Sequence, residues 1–153
     1  VNSRRPATVL RAVANWVNLS TPLGFAIAAV GRARVHKGPD HLWIAEGYRL
    51  GVPVAGAFTV GSVVIVKGRT LADLQTGTPL VLEHEATHAW QWAACLGLPF
   101  LPLYLLANAW SWARTRTWYA ANSFEVWADL AKGGYAPAGP PQRMRRRDAD
   151  RLR

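Results

Sequence analysis

The sequence predicts an α+β fold, a small mixed or antiparallel sheet packed on several helices. One helix carries a metal-binding motif and a second carries a further ligand. Three observations lead there. Residues 35–66 are rich in β-branched side chains and punctuated by glycine, whereas residues 7–20, 78–96 and 117–132 repeat apolar positions at helical spacing. Two of those helices hold His84-Glu85-Ala86-Thr87-His88 and an isolated Glu125. The chain has 153 residues, half of them apolar and 18% charged, enough to bury one core without disulfide staples.

In residues 7–20, Val9, Leu10, Val13, Trp16 and Val17 recur along one side of a helix, with Arg4, Arg5 and Arg11 around them. Ser20-Thr21-Pro22 is expected to end it. Leu23 to Val30 is an uncharged run of eight residues, too short to cross a bilayer. Residues 7–31 are therefore read as a helical segment that packs on the domain or rests on a membrane surface, in preference to a signal anchor.

Residues 41–45, 57–60 and 62–66 are the expected strands. The last contains the continuous apolar run Val63-Val64-Ile65-Val66, as in a strand covered on both faces. Residues 71–77 form a loop or a short helix. Thr78-Pro79 then supplies an N-cap and a first-turn proline for a helix running to Leu96, stopped by Gly97 and Pro99. Ala89 to Ala113 carries no charge over 25 positions. Gly97, Pro99 and Pro102 cut that run, so buried core plus an apolar loop is expected. Contact with a membrane surface through Trp90, Trp92, Trp110 and Trp112 is the alternative. A last helix over 117–132 ends at Gly133-Gly134. One domain of residues 1–135 is expected, with a Pro/Gly linker and a basic tail over 136–153.

The net charge of +9 sits in the two ends: residues 1–37 hold six cations and no acid, and residues 143–153 hold six arginines against two aspartates. The aromatic residues are not interleaved with those arginines, which argues against nucleic acid as a partner. Cys95 is the single cysteine, read as a core thiol; it can form neither an internal disulfide nor a cysteine-based zinc finger. A reducing compartment follows, so the expected location is cytoplasmic, with peripheral membrane contact as an addition. The sequence carries no signal for an oligomeric state.

Four residues along a helix turn a side chain by only about 40°, so His84 and His88 share one face about 6 Å apart. Each can give one nitrogen to a Zn²⁺, with Glu85 toward the open side of the metal. A third ligand is needed. A histidine six residues beyond His88 is excluded because Ala94 stands there, and Gln91 occupies the position where that pattern needs glycine. His36 and His41 lie among the strands and remain open. Glu125 is preferred, because it and Asp129 sit among Phe124, Val126, Trp127, Ala128 and Leu130. Carboxylates buried there are costly without a cation or an N–H donor.

Residues 81–90 together with Glu125-Val126-Trp127-Ala128-Asp129 resemble the gluzincin-type zinc metallopeptidases, in a minimal single-domain form with a zincin-like metal helix. The resemblance covers about 30 residues on two helices plus the strand pattern before them. It implies a Zn²⁺ held by His84, His88 and Glu125, with Glu85 as the general base. Asp129 would accept a hydrogen bond from a ligand histidine, and Asn122 would stand in the same outer layer. A peptide or protein substrate, for an endopeptidase or an aminopeptidase, would pair with the strand Ser62, Val63, Val64 and Ile65. Tyr119 and Tyr104 are the candidates for oxyanion stabiliser. The competing readings are a zinc-binding scaffold or membrane-associated module without peptidase activity, and a basic protein that binds lipid or, less favoured, nucleic acid through its ends.

Overall fold

The computed structural model describes residues 5–136. The expected linker and basic tail over 137–153 lie outside the described residues, as does Arg4. Six helices and a four-stranded mixed sheet make a small α+β fold. The strands are β1 (Arg34–Lys37), β2 (Trp43–Tyr48), β3 (Ala57–Val60) and β4 (Val63–Lys67), in the order β1-β2-β4-β3. β1 and β2 are antiparallel, as are β3 and β4, while β2 and β4 run parallel. His41 falls in the β1–β2 turn at φ 60°, so β2 starts later than its apolar pattern indicates.

β4 is the central strand, and its four apolar residues Val63 to Val66 are fully buried. Val63 and Ile65 pack with Ala28, Ala45, Tyr48, Val60, Trp92 and Phe100. Val64 and Val66 pack with Leu42, Ile44, Ala57, Val81 and Ala89. The continuous apolar run therefore means what it predicts. Cys95 is half-buried against the first of these clusters, where burial pushes its thiol pKa up.

The helices depart from expectation in several places. α1 (Arg5–Val17) is followed by Leu19, which takes φ 65° and caps α2 (Ser20–Val30), so α2 starts at the triplet expected to stop a helix. Pro22 is tolerated because N–H groups in a first turn have no helical acceptor. α1 is also turned inside out: Arg11 and Asn15 are buried, and Leu10 and Val17 are exposed. The reason is a polar network. Asn15 Nδ2 donates to Ala89 O at 2.9 Å and to Ser62 Oγ at 3.2 Å, and Arg11 Nη2 donates to Asp40 O.

α3 (Leu71–Gly77) is a helix because Thr70 and Asp73 form a reciprocal capping box. Thr78 closes α3, its N–H donating to Leu74 O at 3.0 Å, so it is not the N-cap of α4 (Val81–Ala94). α5 (Phe100–Thr115) is one continuous helix where an apolar loop is expected, since Pro99 is its N-cap and Pro102 lies in its first turn. α6 (Ser123–Ala128) is much shorter than 117–132. Arg116 at φ 60° ends α5, the Ser111 hydroxyl binds the main chain of Thr117 and Ala121, and Asn122 caps α6. No single described helix is long and apolar enough to cross a membrane.

Gly24 sets how closely α2 approaches the sheet. A Cβ there would lie 2.5 Å from Val60 O and 2.9 Å from Val63 Cβ. Alanine in a helix gains roughly 0.5–1 kcal/mol over glycine, but overpacking of this kind costs about 1–3 kcal/mol. Gly24→Ala is therefore expected to lower the denaturant midpoint in chemical unfolding.

Candidate metal centre

α4 packs on β3 and α6 packs on α4, with Ala128 O against His84 and Phe124 O against Gln91. Nε2 of His84 and Nε2 of His88 lie 3.1 Å apart, as their four-residue spacing dictates. Glu125 reaches in from α6, with Oε2 3.2 Å from His84 Nε2 and Oε1 3.5 Å from His88 Nε2. All three side chains are buried, and one ligand atom from each falls within 4.8 Å of the others.

The outer nitrogens fix what the inner ones can do. His84 Nδ1 lies 3.1 Å from Ala128 O and 3.0 Å from Asp129 O, both of which only accept, so Nδ1 carries the proton. His88 Nδ1 faces Gln91 Oε1 at 2.8 Å, and the Gln91 amide donates onward to Phe124 O at 2.9 Å, which orients Oε1 as the acceptor. In the neutral rings both Nε2 atoms therefore present lone pairs to one point. Glu125 Oε2 is buried there with no hydrogen-bond donor. Two nitrogen lone pairs and an orphaned carboxylate oxygen around one point can hold a metal ion.

Protons compete with a cation for that place. Burial disfavours the His88 imidazolium, but the bond to Glu125 and the charge of Glu85 outweigh it and push its pKa up to about 9. His84 is raised by the same balance. Burial favours the neutral Glu125 acid, yet its bonds to His84 and His88 hold its pKa well below the usual carboxylate range. A bound metal ion displaces such protons.

Of the expected site residues, His84, Glu85, His88 and Glu125 are brought together. His36 and His41 are exposed on β1 and its turn and belong to no such cluster. Asp129 contributes its main-chain carbonyl rather than its carboxylate, because at φ 71° it leaves the helix and its Oδ1 accepts from Ala131 N at 3.0 Å. Asn122 is buried and orders α6, accepting from Phe124 N and donating to Asn108 Oδ1. The Tyr104 hydroxyl donates to Glu125 Oε1, and burial next to that carboxylate raises its pKa. Tyr119 stands behind Tyr135, stacked on it at 4.5 Å, and Tyr135 is the one that lines the cleft.

The stretch expected to pair with substrate, Ser62 to Ile65, is not a free edge. It belongs to the β3–β4 turn and the central strand, whose main chain is paired on both sides. β3 is the edge. Lys67 N–H donates to Gly56 O, which with the β3–β4 register turns the main-chain groups of Ala57 and Thr59 outward. Thr59 O accepts from the Trp92 indole at 2.8 Å. A cleft of about 230 Å³ lies along this strand, walled by Phe58, Trp92, Phe100, Leu101 and Tyr135, with Glu85, His88 and Glu125 at its base. The Thr59 hydroxyl donates to Glu85 Oε2 at 2.7 Å and holds that carboxylate in place.

Gln91, Thr59 and Tyr135 are the residues that motif reading misses. Gln91 had a signal, three residues beyond His88 on the same helix face; the other two are joined to the site only by the fold. Gly133 backs the site, since a Cβ there would lie 2.7 Å from His84 Cε1. Gln91→Leu is expected to weaken metal binding by roughly 10–100-fold, the usual cost of losing a partner behind a ligand, read by competition with a chromophoric chelator.

The chain matches no protein-family model, no curated protein and no solved structure in three separate comparisons.

Proposed function

We propose that the chain is a zinc-dependent peptidase. The observation that carries this reading is the meeting of the His84, His88 and Glu125 donor atoms beside a cleft that His88, Glu125 and Glu85 line and that runs along a free strand edge. Two imidazoles and one carboxylate form a donor set suited to catalytic zinc, which takes three protein ligands and keeps a fourth position for water. Bound zinc would supply Lewis acidity toward a carbonyl and make its water easier to deprotonate.

The remaining work belongs to the chain. Glu85 takes the proton from water and delivers it to the leaving amine, oriented by the Thr59 hydroxyl. Ala57 N–H, Ala57 C=O and Thr59 N–H of β3 pair with an extended peptide, and the apolar walls receive its side chains. Tyr104 holds Glu125 by its one O–H donor, so facing a developing oxyanion requires that bond to be released.

The test is cleavage of a library of apolar peptides by the purified chain, with metal content measured on the same sample. Stoichiometric zinc is expected, with hydrolysis that stops on chelation and returns on adding zinc. Zinc binding without cleavage of any peptide would identify a metal-binding scaffold instead.

A further inference from the structure

We propose that the exposed apolar face made by α1, the α4–α5 turn and α5 seats the chain on the surface of an anionic lipid bilayer. This inference is independent of the peptidase reading.

α5 buries only one stripe, through Phe100, Tyr104 and Ser111, yet it is apolar around most of its circumference. Leu105 and Leu106 are 64% and 68% exposed, and Trp110 and Trp112 follow on open sides of the helix. A helix apolar all round belongs in a core or in lipid. α1 repeats the anomaly, turning Arg11 and Asn15 inward and leaving Val17 77% exposed. The two surfaces join, because a Cβ on Gly97 would lie 2.8 Å from Asn18 O. The turn bearing Leu96 and Leu98 thus abuts the corner bearing Val17 and Leu19. Exposed apolar side chains gathered around one corner of the fold mark an interaction site.

Charge selects the occupant. Residues 1–39 and 89–124 contain no Asp or Glu. At the C-terminal end of α5, exposed Arg114 lies 5.1 Å from the Trp110 ring and exposed Arg116 lies 4.5 Å from that of Trp112. Tryptophan paired with arginine at the end of an apolar helix suits the headgroup level, where the ring is half-immersed and the guanidinium meets phosphate. A second copy would bring +9 against +9. α5 is about 24 Å long, less than the roughly 30 Å hydrocarbon layer, and one side is held by the domain, so it lies along the surface. Leu101 lines the cleft and is also exposed on this helix, so the cleft mouth borders the lipid.

Flotation of the full chain with vesicles tests this. Wild type is expected to float with phosphatidylcholine vesicles containing about one-third phosphatidylglycerol, and to stay bound in about 0.5 M salt, where screening releases purely electrostatic contacts. The double variant Leu105→Glu/Leu106→Glu is expected to lose at least about tenfold in partitioning, and so is Val17→Glu/Leu96→Glu, with circular dichroism unchanged. Chelation of metal is expected to leave binding intact. Wild type that stays unbound, variants that float equally well, or binding that salt abolishes would overturn the proposal. A dimer that the variants dissociate without any effect on flotation would overturn it in favour of a second copy.

Discussion

Replacing Glu125 by alanine is expected to weaken zinc binding by more than roughly 100-fold, beyond what losing a partner behind a ligand costs. The side chain is 1% exposed and faces both Nε2 atoms, and the Tyr104 hydroxyl donates to it. Alanine removes a metal donor, opens a cavity and strands the Tyr104 hydroxyl, so some loss of folding stability accompanies the loss of metal. Glu125→Gln separates the two effects. The amide fills the same volume, still accepts from Tyr104 through its oxygen, and turns an N–H toward the histidine lone pairs. It is expected to fold like wild type in circular dichroism and still fail to compete with a chromophoric chelator for zinc. If both variants bind zinc as tightly as wild type, Glu125 is not a ligand and the metal reading of the cluster fails.

The parts of the site that sequence can show are those set by local geometry. His84, Glu85 and His88 share one helix, and a four-residue spacing places the two rings whatever the tertiary fold. Glu125 was legible for another reason: an acid among Phe124, Val126 and Trp127 needs compensation if buried. The acceptor expected behind a ligand histidine, Asp129, is the right residue through the wrong group, because a carboxylate contact requires a helix continuous over 117–132. The Asn122 cap and the positive φ of Asp129 shorten that helix to two turns and point a carbonyl, not a carboxylate, at His84.

Sheet order was hidden for a non-local reason. β3 and β4 are both apolar and separated by two residues, so nothing in their composition tells the edge from the centre. The parallel pairing of β2 with β4 decides it, and that contact closes a loop of about 20 residues. The exposure of α1 and α5 was likewise hidden, since apolar periodicity reports that a face is apolar and not which solvent it meets. In α1 the buried Arg11 and Asn15 choose the inner face against the hydrophobic pattern, through acceptors supplied by Asp40 and Ala89 far along the chain.

Glu85→Gln tests the proposed hydrolysis. Glu85 is 4% exposed, follows His84 in the chain, and lines the cleft next to His88 and Glu125. Its Oε2 accepts from Thr59, which leaves the other oxygen for water. Glutamine keeps the size and can still accept that bond, so zinc affinity should be unchanged. It cannot take up a proton at working pH, so hydrolysis is expected to fall by roughly 10²–10⁴-fold, the usual share of general acid–base catalysis. Thr59→Val should act more mildly, because it frees the carboxylate to rotate without removing its basicity. An intermediate loss of about tenfold, or 1.36 kcal/mol of barrier, is expected there. The order wild type, Thr59→Val, Glu85→Gln in kcat at equal zinc content is what a positioned base produces. Full activity in the Glu85→Gln variant would remove Glu85 from the reaction. The base would then have to come from Tyr104 or Tyr135, whose raised pKa values make them poor proton acceptors at neutral pH.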